Sequence, residues 1–99
     1  MAVPDCEEKM VENLKTNEAA IISVKDELTG AFMQPQFIKG KEWKKQAIRI
    51  FQHNINNIGI WKSNPTDYSL YYIGVFNEET GEIFGIPDKI ANGRSVLEE

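Results

Sequence analysis

The feature that most constrains the fold is the run from Tyr68 to Phe76, which is dominated by aromatic and β-branched residues. Because successive side chains of a strand point to opposite faces, this run places apolar groups on both sides, as is typical of a strand in the middle of a sheet. A central strand requires a neighbour on each edge and a layer over at least one face. The rest of the sequence must therefore supply further strands and a covering helix.

Two segments with a shared plan supply those strands. Val24–Phe32 and Val75–Phe84 each pass from a strand through an acidic turn and Thr-Gly into a second strand. Glycine at the end of such a turn suits the left-handed conformation that tight hairpins use. The pattern predicts two β-hairpins. Because proline has no amide proton, we expect Pro35 to lie at a sheet edge and Pro87 to end the last strand.

Residues 41–56 carry the clearest helical pattern. At about 100° per residue, one broad arc is apolar and the opposite arc is basic and polar. The apolar arc holds Trp43, Ala47, Ile48, Ile50, Phe51 and Ile55, and the opposite arc holds Lys41, Lys45, Arg49 and Gln52. A polar, Asn-rich loop carrying Trp61 is predicted to follow. Together the elements predict an α+β fold in ββαββ order, with a small antiparallel sheet packed against one amphipathic helix.

The length of 99 residues fits one compact domain. We place it at residues 18–90, after an acidic N-terminal extension at residues 1–17 and before a C-terminal tail at residues 91–99. Acidic residues and helically spaced apolar residues at 5–15 favour a short helix in the extension. No apolar run approaches the roughly 20 residues that span a bilayer, and the N-terminus lacks a leader pattern, so we expect a cytoplasmic protein without a membrane partner.

The net charge of −4 hides an uneven distribution. Residues 1–18 carry five acids and two bases, residues 19–64 three acids and seven bases, and residues 65–99 seven acids and two bases, which gives −3, +4 and −5. Within the middle segment, five cations face one acid, Glu42. They are Lys39, Lys41, Lys44, Lys45 and Arg49. The local field there is therefore positive despite the acidic total.

Catalysis has little support in the sequence. The lone histidine, His53, has no serine or cysteine motif beside it, and the carboxylates cluster in turns and near the termini. The single cysteine, Cys6, supplies neither a disulfide nor a thiolate cluster for zinc. The glycines form no phosphate-binding loop. We therefore expect a protein that is not an enzyme and that uses no metal or cofactor.

Cations and aromatic residues together indicate nucleic-acid binding. The five cations can follow phosphates, while Tyr71, Tyr72 and Trp61, which lies beside Lys62, can stack on bases. Each feature also has a simpler interpretation. The lysines suit a solvated surface, the tyrosines suit core packing, and a loop tryptophan is as often a plug of the core.

From residue 18 onward the chain resembles the small non-structural protein of gokushoviruses, the single-stranded-DNA microviruses that include the chlamydia phages. The resemblance rests on spaced residues and covers about three-quarters of the chain. The residues that carry the resemblance are Asp26, Phe32, Pro35 and Phe37, then Ala47-Ile48-Arg49-Ile50-Phe51, Pro65-Thr66-Asp67-Tyr68-Ser69-Leu70, and Ile73-Gly74-Val75-Phe76-Asn77-Glu78-Glu79-Thr80-Gly81.

This resemblance implies a protein of the host bacterial cytoplasm that binds single-stranded genomes during replication or packaging. It singles out Arg49 for phosphate contact and the pair Asp67-Tyr68. A protein-interaction adaptor that engages a host replication factor or the capsid is the alternative function. We also expect a homodimer, because a four-stranded sheet leaves two unpaired edges.

Overall fold

The computed structural model describes residues 14–98, which form a four-stranded antiparallel sheet with a helix across one face. The elements are β1 (Glu18–Asp26), β2 (Gln36–Ile38), α1 (Trp43–Asn57), α2 (Gly59–Ser63), a 3-10 turn (Pro65–Asp67), β3 (Tyr68–Asn77), β4 (Ile83–Asn92) and α3 (Gly93–Val96). The strand order is β2-β1-β3-β4, so β3 is central as predicted. The α+β class and the ββαββ order are confirmed. The short helix predicted at residues 5–15 lies almost wholly outside the described residues.

The core lies between α1 and the face of the sheet that we call the covered face. The helix contributes a stripe at every fourth residue, and the central strands contribute the residues that point toward it. The buried members are Trp43, Ala47, Phe51 and Ile55 of α1, Ala20 and Ile22 of β1, and Tyr68, Leu70, Tyr72 and Val75 of β3. Ile50, which the sequence pattern placed in the apolar arc, is 42% exposed. Its exposure reflects its place at the margin of the arc, because only the central stripe of α1 faces the sheet fully.

The two hairpin turns have the same construction. Asp26 Oδ1 accepts the amide protons of Leu28 and Thr29, and Asn77 Oδ1 accepts those of Glu79 and Thr80. Each turn then closes on a glycine at positive φ, +80° at Gly30 and +78° at Gly81, whose amide donates to the carbonyl oxygen of the first turn residue. The sequence pseudo-repeat is therefore a structural repeat.

Pro35 and Pro87 both lie at the edges of the sheet. β2 has only three regular residues, and Pro35 directly precedes it. β4 does not end at Pro87 but continues to Asn92, which corrects the predicted end of that strand. Tyr72 pairs with Asp88 and Gly74 with Gly85, so β4 carries one extra residue around Pro87. Such a bulge at a sheet edge tolerates the missing amide proton.

The segments after α1 and β4 are more ordered than the sequence indicated. The predicted loop around Trp61 contains the short helix α2. Residues 91–98, which the sequence placed in a tail, finish β4, form α3 and then bind Asn56. The Asn56 amide donates to the Val96 carbonyl at 3.1 Å, and its oxygen accepts from the Glu98 amide at 2.7 Å. The C-terminal segment is thus fastened to α1.

Candidate nucleic-acid interface

The face of the sheet opposite α1, which we call the open face, carries four aromatic rings. In the antiparallel register, Ile21 pairs with Phe37 of β2, and Ala19 pairs with Phe76 of β3. Ala19 and Ile21 alternate with Ala20 and Ile22 of the covered face, so they point away from α1. Directly paired residues point to the same side of a sheet, so Phe37 and Phe76 share that uncovered face. The other two rings belong to Phe32 and Tyr71, and residues Phe32 and Phe37 are 43% and 55% exposed.

The rings form two edge-to-face pairs. Phe32 and Tyr71 have ring centroids 5.1 Å apart, and Phe37 and Phe76 have centroids 5.6 Å apart. Both distances and both near-perpendicular angles are the arrangement that aromatic quadrupoles favour. The pairs hold each ring in place and leave part of its surface in solvent. The open face is therefore a preformed apolar platform.

A cation lies against the first pair. Lys25 Nζ is 5.6 Å from the Phe32 centroid and 5.5 Å from the Tyr71 centroid, within cation–π range. Glu27 Oε1 lies 3.8 Å from the same ammonium group, and Glu27 Oε2 lies 3.3 Å from Lys89 Nζ. A hydrogen bond from Ser69, opposed by partial desolvation and assisted by Lys89 and Lys25, lowers the pKa of Glu27. This end of the platform thus holds two cations and one ionised carboxylate.

The second pair lines a shallow cup of about 320 Å³. Ala19 forms its floor, Phe37 and Phe76 form walls, and Lys39 and Glu78 close the rim with an ion pair of 2.6 Å between Nζ and Oε1. Both charged side chains are about half exposed. Exposed ion pairs contribute little free energy, so either group can turn to an incoming ligand at small cost.

The predicted stacking residues do not lie on one surface of the protein. Tyr71 lies on the open face, but Tyr72 is fully buried with its ring 4.6 Å from that of Trp43. Burial, with a smaller effect from Glu18, raises the pKa of Tyr72 to about 12. Tyr72 therefore cannot stack on a base in this structure, and the simpler core interpretation holds for it.

Trp61 and Lys62 lie in α2, away from the open face. The Trp61 ring stacks on Tyr68 at 4.9 Å with an interplanar angle of 19°, and its side chain packs against the core. Lys62 is exposed beside it. We therefore leave this pair out of the binding surface.

All five predicted cations follow β2 along the chain, and four of them lie just before α1 or within it. Lys41 precedes the helix, while Lys45 and Arg49 are exposed one turn apart on its outer side. Lys44 is partly buried on a neighbouring side. Lys45 forms an exposed ion pair with Glu42 at 3.2 Å. The cations of α1 and the aromatic platform therefore lie on opposite sides of the sheet, with Lys39 at the rim between them.

Comparison with known protein families identifies the family of the chain. A family model described as phage ORF5 protein matches residues 19–96. The chain belongs to the phage ORF5 protein family. Searches of curated proteins and of solved structures found no match.

In this phage protein, the sequence pattern missed Lys25, Phe32, Phe37 and Phe76 as binding candidates. Phe32, Phe37 and Phe76 had been noted only for their part in the resemblance. Their strand positions relative to the core residues of α1 could have found them, since Phe37 and Phe76 both point away from the helix. Across residues 14–98, no cluster of potential metal ligands occurs and no helix is long and apolar enough to cross a membrane.

Proposed function

We propose that this phage ORF5 protein is a non-structural protein that binds single-stranded DNA on the open face, largely without sequence preference. Its role would lie in replication or packaging of a single-stranded viral genome, as in the gokushoviruses that it resembles, inside the host bacterial cytoplasm. The protein acts by binding, and the proposal assigns it no catalytic step, metal or cofactor.

The observation that carries this proposal is the two partly exposed aromatic pairs on one uncovered sheet face. Bases stack on aromatic rings whatever their identity, because every base has a π-face. Lys25 and Lys39 stand beside the two pairs and can contact the phosphates that accompany stacked bases. The platform therefore supplies both components of sequence-tolerant binding.

The same surface favours a single strand over a duplex. In a duplex the faces of the bases are covered by their neighbours, so the rings of Phe37 and Tyr71 have only phosphates and sugars to meet. The open face also has a nearly balanced charge, since Glu27 and Glu78 oppose its lysines. Affinity there depends on stacking, which unpaired bases provide.

The test compares two phenylalanines of similar exposure on opposite sheet faces. Phe37, 55% exposed, lies on the open face, whereas Phe84, 48% exposed, pairs with Val75 of the covered face. Phe37→Ala should weaken binding of a short oligo-dT by about 1–3 kcal/mol, the usual contribution of one stacked base. Phe84→Ala should leave the affinity unchanged.

Fluorescence anisotropy gives the affinities, and thermal melts confirm that both variants fold. Equal affinities for the two folded variants would remove the open face from the binding site. The alternative, an adaptor that engages a host replication factor or the capsid through an exposed sheet edge such as that of β4, would then lead. The homodimer also stays a proposal, and the edges that it would pair are β2 and β4.

A further inference from the structure

We propose that the DNA strand on the open face continues around the β2 edge and along the outer side of α1, where Lys41, Lys45 and Arg49 bind its phosphates. This inference rests on the proposed function and extends its site to a second side of the molecule. It explains how cations and aromatic rings that lie on opposite sides of the sheet serve one ligand.

The chain itself connects the two sides. Phe37 is on the open face, and Lys39, two residues later, is at the rim of the aromatic cup. Lys41 follows after another two residues, and two residues span at most about 7 Å. Gly40, with φ of +104°, turns the chain between the two lysines. The steps from the platform to the start of α1 are therefore short.

The helix continues the same path. Lys45 and Arg49 are four residues apart, about 6 Å along the axis, and both point outward. Because α1 begins five residues after β2 and packs on the covered face, its outer side continues the path that starts at the β2 edge. Cations thus occur at short intervals from the cup to the middle of α1.

The charge of this surface suits phosphates. Within residues 14–98, Lys41, Lys45 and Arg49 outnumber the two acids placed near them, Glu42 and Glu98. The Glu42 carboxylate forms an exposed i,i+3 pair with Lys45, which water and salt screen. A phosphate can therefore replace Glu42 at Lys45. The open face lacks such an excess of positive charge, so the two surfaces complement each other.

The consequence is a dependence on length that the open face alone would not give. An oligonucleotide of about 4 nucleotides fills the aromatic platform, whereas one of about 12 reaches α1, both within the range known for small single-strand-binding folds. The contribution of Lys45 and Arg49 should appear only with the longer strand.

The experiment measures binding of dT4 and dT12 by anisotropy over a salt series. The variant Lys45→Ala/Arg49→Ala is matched by Lys62→Ala/Arg94→Ala, which removes the same residue types and charge from exposed positions on α2 and α3. For dT12, the first variant should lose roughly tenfold in affinity at about 0.1 M salt, and its salt slope should fall by about 1.4, or about 0.7 for each lost phosphate contact. For dT4, both variants should match the wild type.

Three results would overturn the inference while leaving the proposed function intact. The Lys45/Arg49 variant could bind dT12 like the wild type, or lose no more than the matched variant, or lose equally for both lengths. Native mass spectrometry adds a fourth test. Two dT12 molecules on one protein would mean that separate strands occupy the two sides, whereas one strand for each chain supports the continuous path. Failure of the proposed function is distinct, because Phe37→Ala would then bind dT4 as tightly as the wild type.

Discussion

At the scale of single residues, Gly74 determines how closely β4 approaches β3. A Cβ atom added at Gly74 would lie 2.7 Å from the carbonyl oxygen of Phe84, closer than such atoms normally come. Gly85, its partner in the register, has no heavy atom within 4 Å of the same position. The backbone of β4 therefore excludes a side chain at Gly74, whereas there is space for one at Gly85.

Gly74→Ala should lower the free energy of unfolding by about 1–3 kcal/mol, because the backbone of β4 must shift to admit the methyl group. Gly85→Ala should change it by less than about 1 kcal/mol, and in the stabilising direction, because alanine restricts the unfolded chain. Urea denaturation measures both. Similar losses at the two positions would contradict the close approach seen at Gly74.

The sequence correctly predicted that successive residues of β3 alternate between the two faces of the sheet. It did not predict which of those faces the helix leaves uncovered. The period of two used for the run Tyr68–Phe76 holds at Tyr71 and Tyr72, which lie on opposite faces of β3. The pattern could not say which of them the helix covers, since that depends on where α1 packs. The exposed aromatic residues of the shorter β2 hairpin were missed for the same reason.

At the scale of elements, the two hairpin turns show how a local sequence specifies a local structure. In both, one side-chain oxygen accepts two backbone protons, with closest distances of 2.9 Å at Asp26 and 2.9 Å at Asn77. The threonine of each turn also matches, since the hydroxyl oxygens of Thr29 and Thr80 each accept the amide proton of the residue two positions later. Asp26 and Asn77 thus accept equivalent hydrogen bonds at equivalent positions of the two turns.

The repeat predicts the effect of substitution in the first turn. Asp26→Ala should lower the free energy of unfolding by about 1 kcal/mol, because two amide protons lose their acceptor. Asp26→Asn should retain most of that stability, because the amide oxygen of Asn77 accepts the equivalent bonds in the second turn. Chemical denaturation compares the two variants. An Asp26→Asn variant as unstable as Asp26→Ala would show that the charge, and not the hydrogen bonds, stabilises the turn.

Elements with a strong local signal were predicted, and elements that depend on tertiary contacts were not. Both hairpins and the helix at 41–56 have their own turn residues and apolar periodicity, and α1 differs from its predicted bounds by two residues at most. α2 has five residues and no such pattern of its own; Trp61 packs against Tyr68 and the core. β4 passes Pro87 because an edge strand tolerates a bulge, which a rule about proline alone does not foresee.

At the scale of the whole molecule, aromatic rings and cations occupy opposite sides of one small sheet. The sequence predicted the cations but, of the four rings, only Tyr71, and it did not predict that the two groups are separated, because the separation depends on which face α1 covers. The open face carries the rings of Phe32, Phe37, Tyr71 and Phe76, and the outer side of α1 carries the excess of positive charge. Binding of a single strand by stacking is the function that we propose for this arrangement.

The most direct measurement is a titration of the whole protein with labelled single-stranded and duplex oligonucleotides of equal length at two salt concentrations. The account predicts tighter binding of the single strand at both concentrations, because unpaired bases alone can stack on the open face. It also predicts that part of the affinity persists at the higher salt, since stacking releases no counterions. No binding of the single strand at low salt, or equal affinity for the duplex, would contradict the account.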